Sequence, residues 1–154
     1  MKQIKNQAKG FTIIEVVLVL AIAGLIFLMV FIALPALQRN QRDTARKNEA
    51  SKVLSAITSY QSNNRGSAPD ASDIMSYLDA KVVDGKVTMG SGTTVSRDTT
   101  TAVDVVPGNA TNDNIVYIIG KKCGDGGKVA DGTGRQAAAF VKLENGNAVF
   151  CQES

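Results

Sequence analysis

The chain has 154 residues, of which 44% are hydrophobic and 20% charged, and its formal net charge is +3. It contains no histidine and no tryptophan, which excludes His-dependent triads and imidazole metal sites and leaves little material for base stacking. Three of the 17 basic residues lie among the first nine, so loss of residues 1–10 would leave 14 basic and 14 acidic side chains. Neither a globally basic nucleic-acid binder nor an enzyme is indicated, and no cofactor or metal is expected.

A long apolar segment follows the short basic stretch at the N-terminus. Residues 16–34 are 19 consecutive positions without a charged or strongly polar side chain, which reach roughly 28 Å as a helix. The apolar core of a secretory signal has only about 7–15 residues. The segment is therefore predicted to span a bilayer and to remain attached to the chain.

Good helix formers continue through residues 38–64, interrupted only by Pro35 just before them. This pattern predicts one helix of some fifty residues with a bend near Pro35, apolar all round in its first half and amphipathic in its second. The second half should pack on a globular head while the first projects from it, as in a ladle. The apolar stripe of the second half consists of Ala50, Val53, Leu54, Ile57 and Tyr60.

Five basic residues lie in the same part of the sequence: Arg39, Arg42, Arg46, Lys47 and Lys52. Asp43 and Glu49 offset them only in part. A solvated helix face is the favoured interpretation, and a local nucleic-acid contact is possible in principle but has no further support.

Residues 67–104 are rich in Gly, Ser, Thr and Asp and are interpreted as loop. The exception is a short helical pattern at Ile74, Tyr77 and Leu78, with Asp70 and Ser72 as possible caps. Residues 120–135, with several glycines after Lys122, are interpreted as a second surface loop.

Strand patterns occur in the C-terminal half, and the Asn145-Gly146 pair predicts a tight turn between the last two of them. The expected fold class is α+β, with the long helix packed on an antiparallel sheet of three or four strands. The predicted strands are residues 102–106, 115–119, 137–143 and 148–151.

The two cysteines, Cys123 and Cys151, are 28 positions apart and match no zinc or redox spacing. One disulfide is the simplest account if the domain is exported, and two buried thiols are the alternative if it stays in the cytosol. Asp125 and Asp131 lack the spaced run of oxygen ligands that a calcium loop requires, so no metal site is predicted.

The N-terminal order is a basic leader with Lys2, Lys5 and Lys9, then Gly10, Phe11, Thr12, two isoleucines, Glu15 and the apolar run. This order resembles the leader and processing signal of type IV prepilins and related pseudopilins, closely over about the first 35 residues. The resemblance implies that prepilin peptidase cuts after Gly10 and methylates the new terminus, Phe11. Glycine leaves the junction open to a protease, and the lysines favour a cytoplasmic leader.

Glu15 is a carboxylate near the start of a membrane helix, which costs free energy unless it is compensated. The resemblance implies that Glu15 meets the amino terminus of Phe11 on a neighbouring subunit during assembly, in which Thr12 also takes part. An intrachain pair with Phe11, four residues away, and snorkelling to the interface are the alternatives.

Gly24 and Pro35 weaken helices, although both are also common in membrane helices. In pilins of this kind a glycine and a proline bound a stretch that loosens on assembly. Gly24 lies where such a glycine is expected, whereas Pro35 lies about one turn later than the usual proline.

The resemblance implies a leader at residues 1–10, a membrane and filament-core helix at 11–37, its amphipathic half at 38–65 and a head at 66–154. The precursor would lie in the bacterial inner membrane with its leader in the cytoplasm. An assembly platform and a motor ATPase would then polymerise it into an extracellular homopolymeric pilus. A pseudopilin of a type II secretion system and a minor pilin of a DNA-uptake apparatus are the alternatives.

Overall fold

A computed structural model describes residues 10–154, and the leader lysines lie outside the described residues. The chain divides into two compact units with the boundary after Gln38. We call the helical residues up to Gln38 the shaft and the unit Arg39–Ser154 the head. The fold class is α+β, as predicted from the sequence.

Helix α1 runs from Ile13 to Asn63, 51 residues, with Pro35 inside it. The prediction of one continuous helix of some fifty residues is confirmed. Its C-terminal end is closed by Arg65, which has a φ of 56°, and by the Gly66 N–H, which donates to the Gln61 carbonyl over 2.7 Å.

The amphipathic half of α1 covers one face of the main sheet, and the predicted stripe is confirmed. Ala50, Val53 and Ile57 have no exposed surface, and Tyr60 packs at the margin of the same core. Burial of this stripe is the main hydrophobic contribution of the helix to head stability.

The main sheet has six strands in the spatial order β1-β2-β3-β4-β7-β8. All neighbouring pairs are antiparallel except β3 and β4, which are parallel. The sheet therefore has more strands than the three or four predicted. Its strands are β1 (Ala80–Val83), β2 (Lys86–Met89), β3 (Thr94–Arg97), β4 (Asn114–Ile119), β7 (Ala137–Lys142) and β8 (Val149–Glu153).

The interpretation of residues 67–104 as loop is wrong for β1, β2 and β3. The sequence Val83-Asp84-Gly85-Lys86 joins β1 to β2 through two residues of positive φ, 49° at Asp84 and 74° at Gly85. Such Asp-Gly turns match the twist of a hairpin and are a strong sequence signal for one.

The predicted short helix is a single 3₁₀ turn, Met75–Tyr77. It begins after Ile74 without a side-chain cap, so the predicted caps Asp70 and Ser72 are wrong.

The predicted strand at residues 102–106 is also wrong. Asp104 has a φ of 60°, which interrupts extended backbone. The segment instead lies along Val129: the Asp104 N–H donates to the Val129 carbonyl over 2.7 Å, and the Val129 N–H donates to the Val105 carbonyl over 2.8 Å. The other three predicted strands correspond to β4, β7 and β8, with Asn145 and Gly146 in the connection between the last two.

Residues 120–135 are not a plain surface loop. They contain a hairpin of β5 (Lys121–Cys123) and β6 (Val129–Asp131), separated by a 3₁₀ turn, Asp125–Gly127. Val129 is 1% exposed and packs with Ile118 and Phe140 in a second core. This part of the sheet is thus covered by α1 on one face and by the hairpin on the other.

Candidate functional site

The start of α1 is organised by Thr12 and Glu15. The N–H groups of Glu15 and Val16 donate to the Thr12 carbonyl over 3.2 and 3.3 Å. The Thr12 hydroxyl lies 3.5 Å from Glu15 Oε2. Thr12 and Glu15 therefore occupy the first and fourth positions of a capping-box sequence, and the carboxylate lies at the positive end of the helix dipole.

Gly10 and Phe11 precede the helix and are exposed. A Cβ added at Gly10 would have no heavy atom within 4 Å, and Phe11 is 85% exposed. The Gly10–Phe11 peptide bond thus lies in non-helical backbone, as a protease requires of a cleavage site.

The geometry adds the Thr12 hydroxyl as a local neighbour of Glu15. In the uncleaved chain the Phe11 nitrogen is a peptide nitrogen, so it carries no charge that could pair with the carboxylate. The capping-box spacing Thr-x-x-Glu was present in the sequence but was not used in its interpretation.

The shaft is apolar on all sides and its side chains are exposed. Its most hydrophobic 18-residue window has a mean hydropathy of 3.2, with none of it buried. By length and composition this helix can cross a membrane. Gly24 and Pro35 both lie within α1, and a Cβ added at Gly24 would meet nothing within 4 Å.

Comparison with known protein families matches residues 5–31 to the prokaryotic N-terminal methylation motif. It is the class III signal peptide of type IV pilins and pseudopilins. The match includes the Gly10–Phe11 junction, Glu15 and most of the shaft. No curated protein and no solved structure matches the chain.

The class III signal peptide supports a type IV pilin-like precursor, either pilin or pseudopilin. Proteins of this type are generally structural subunits without enzymatic activity. They are processed by prepilin peptidase and polymerise into filaments. Together with the apolar helix, the signal indicates a membrane-anchored precursor.

In the head, the basic stretch contains a buried ionic cluster. Arg46 is 11% exposed and pairs with Asp43 over 3.2 Å and with Glu144 over 2.8 Å, while its Nε donates to the Asn112 carbonyl over 2.7 Å. The more exposed Arg42 also pairs with Glu144, over 2.8 Å. The interpretation as a solvated face is wrong for Arg46, although Arg39, Lys47 and Lys52 are exposed.

Asp43 is the most enclosed member of this cluster, and two backbone N–H groups, of Glu144 and Asn145, donate to its carboxylate. Burial raises the pKa of Asp43, but these donors and the Arg46 guanidinium outweigh it, and the pKa lies below its usual value. The hydrogen bond from Arg46 likewise lowers the pKa of Glu144. The cluster attaches the β7–β8 connection to α1 and reduces the positive charge available for nucleic acid.

Cys123 and Cys151 form a disulfide, with their Cα atoms 5.8 Å apart. The bond joins β5 to β8 and so attaches the β5–β6 hairpin to the last strand of the sheet. Within residues 10–154, no group of three or more His, Cys, Asp or Glu side chains is arranged to hold a metal. Asp131 instead pairs with Lys121 over 2.7 Å, and Asp125 begins the 3₁₀ turn between β5 and β6.

Proposed function

We propose that the chain is the precursor of a type IV pilus subunit. The match of residues 5–31 to the methylation motif carries this proposal, because it includes the processing junction and the start of the shaft. On this proposal prepilin peptidase removes residues 1–10 and methylates Phe11. The precursor lies in the bacterial inner membrane, and a platform and motor ATPase assemble it into an extracellular filament.

The exposed shaft supports polymerisation through the N-terminal helix. Its large apolar side chains are 44% to 86% exposed. Once withdrawn from lipid, that surface is hidden from water only against other apolar helices, at about 25 cal/mol per Å². Gly24 and Pro35 would allow part of the shaft to loosen as copies pack.

We further propose that cleavage creates the charge that Glu15 pairs with. The new amino terminus of Phe11 is cationic, and Glu15 of a neighbouring copy is its proposed partner. This pairing would fix the axial register of neighbouring shafts. The hydrogen bond that the Glu15 carboxylate accepts from the Thr12 hydroxyl of the same chain is the competing role.

Two substitutions separate these roles. Glu15→Gln keeps a side chain that can cap the helix but removes its charge, whereas Glu15→Ala removes both. If charge pairing drives assembly, both variants should be processed normally and both should lose at least tenfold in sheared-filament yield. A Glu15→Gln variant with normal yield would refute charge pairing and favour the hydrogen bond with Thr12.

Intact-mass spectrometry and electron microscopy test the function itself. The mature subunit should lack residues 1–10, carry one added methyl group on Phe11 and lack two hydrogens at its cysteines. Shear fractions should contain long filaments. Filaments that appear only on overexpression of a secretion system would favour the pseudopilin alternative, and an unprocessed mass would contradict both.

A further inference from the structure

The connection between β7 and β8 contains the pair Asn145-Gly146, and Asn145 is the only asparagine in the sequence that a glycine follows. Both residues are exposed to solvent. The backbone nitrogen that follows an asparagine can attack the side-chain amide carbon, and a Cβ on the following residue hinders that approach. The pair therefore has the sequence of a chemically reactive site.

The attacking nitrogen, that of Gly146, is free. Among the described residues its N–H donates no hydrogen bond, whereas the N–H groups of Glu144 and Asn145 just before it donate to the Asp43 carboxylate. A Cβ added at Gly146 would have no heavy atom within 4 Å, so there is open space around the junction.

The side-chain amide that would leave is weakly held. Within the described residues the Asn145 Nδ2 makes one hydrogen bond, to Asn40 Oδ1 over 3.3 Å, and this bond is exposed. Loss of the amide therefore breaks no buried hydrogen bond.

We propose that Asn145 is a site of spontaneous deamidation. The Gly146 nitrogen loses its proton and attacks the Asn145 Cγ, the bond from Cγ to Nδ2 breaks, and the amide leaves with a proton as ammonia while a five-membered succinimide closes. Water then opens the ring at one of its two carbonyls. Opening at Cγ, which breaks the new bond to the Gly146 nitrogen, restores the normal backbone and gives aspartate. Opening at the other carbonyl gives isoaspartate, in which the main chain runs through Cβ and Cγ.

The two products differ in what they do to the head. Either one adds a negative charge beside the ionic cluster, in which two arginines and two carboxylates balance. The aspartate form keeps the backbone unchanged. The isoaspartate form adds one main-chain atom inside the connection, which is closed by a hydrogen bond of 2.8 Å from the Leu143 N–H to the Ala148 carbonyl. We therefore expect the isoaspartate form alone to release the connection from Asp43 on α1.

Peptide mass spectrometry of the full-length chain, kept in detergent in mildly alkaline buffer, tests the site. After reduction of the disulfide, trypsin releases residues 143–154 as one peptide, because Lys142 is the last basic residue. Asn147 in the same peptide is the internal control, since it is exposed but is followed by Ala148. Conversion at Asn145 should be at least about tenfold faster than at Asn147 and should accelerate with pH. Equal rates, or an Asn145 that keeps its amide, would overturn the proposal.

Two variants test the route and its consequence. Asn145→Gln should keep its amide under the same conditions, because its longer side chain cannot close the five-membered ring, and conversion at the unsubstituted rate would overturn the succinimide route. Asn145→Asp reproduces the aspartate form. Hydrogen exchange of residues 143–154 should be severalfold faster in the aged chain than in fresh chain or fresh Asn145→Asp, and unchanged exchange in a fully converted chain would overturn the release from Asp43.

Discussion

The shaft and the head share one helix but use it in opposite ways. In the shaft, Phe27 and Leu28 are 64% and 60% exposed, and the other large apolar side chains are 44% to 86% exposed. In the head, Val53 and Ile57 of the same helix have no exposed surface, because the sheet lies against them. Continuity of the helical backbone therefore does not determine whether its side chains are buried. Burial depends on what each half of the helix can contact.

The difference indicates where each region obtains its stability. The head is stabilised by its own core, its ionic cluster and its disulfide. The large apolar side chains of the shaft are 44% to 86% exposed, so its environment has to cover them: first lipid and, on the proposed function, other copies. Each prediction below changes one region and asks whether the other responds.

Removal of the shaft should have the largest effect. A chain that begins at Arg39 keeps every residue of the head, including the buried stripe of α1. We expect it to be monomeric without detergent and to unfold in one cooperative transition. Size-exclusion chromatography and urea unfolding check this, and an aggregated or unfolded product would mean that the head depends on the shaft.

Within that head protein, Asp43→Ala should cause the largest loss of stability. It leaves Arg46 without one of its two carboxylate partners and leaves two backbone N–H groups of the β7–β8 connection without an acceptor. Breaking a buried ion pair costs roughly 3–5 kcal/mol of unfolding free energy.

Arg42→Ala is the matched control, because Arg42 pairs with Glu144 at the exposed margin of the same cluster. Its loss should be below about 1 kcal/mol. Urea unfolding of both variants measures the difference. Equal losses of unfolding free energy would show that the buried Asp43 contributes no more to head stability than the exposed Arg42.

Features encoded by local sequence were predictable in both regions. The 19 apolar positions and the following stripe predict one long helix, and the order Gly10, Phe11, Glu15 predicts the processing signal. Strands β4 and β7 were predictable because they are continuous apolar runs. The β1–β2 hairpin was missed although Asp84-Gly85 signals it, because polar residues surround it.

Features created by distant contacts were not predictable. The Arg46–Glu144 pair joins residues 98 positions apart, and it exists only once the sheet has placed the β7–β8 connection beside α1. The strand predicted at residues 102–106 failed because the positive φ of Asp104 cannot be read from the sequence. The short strands β5 and β6 were hidden among lysines and glycines, and Val129 alone gave little sign of burial.

The disulfide should contribute less than the Asp43 cluster. Replacing both Cys123 and Cys151 with serine should lower head stability by about 2–4 kcal/mol. Hydrogen exchange should show the β5–β6 hairpin opening first, while amides of β4, which is bonded on both sides, stay protected. Uniform loss of protection would indicate that the hairpin and the sheet unfold as one unit.

Two adjacent glycines in the head test how closely the 3₁₀ turn between β5 and β6 packs against β8. Gly126 and Gly127 both have positive φ, 68° and 76°, so alanine costs each about 1–2 kcal/mol in backbone strain. A Cβ at Gly126 would meet nothing within 4 Å, whereas at Gly127 it would collide with the carbonyl oxygen of Val149 in β8. Gly127→Ala should therefore cost roughly 1–3 kcal/mol more than Gly126→Ala in urea unfolding.

Gly24 in the shaft is the comparison position for Gly126 and Gly127. Gly24 has open space around it in a regular helix, so Gly24→Ala in the full-length chain should leave head unfolding unchanged and should favour the helix by about 1 kcal/mol. Equal losses for Gly126→Ala and Gly127→Ala would mean that the 3₁₀ turn moves away from β8 without cost. The hairpin would then be held to the sheet by the disulfide and Val129 and not by close packing of its turn.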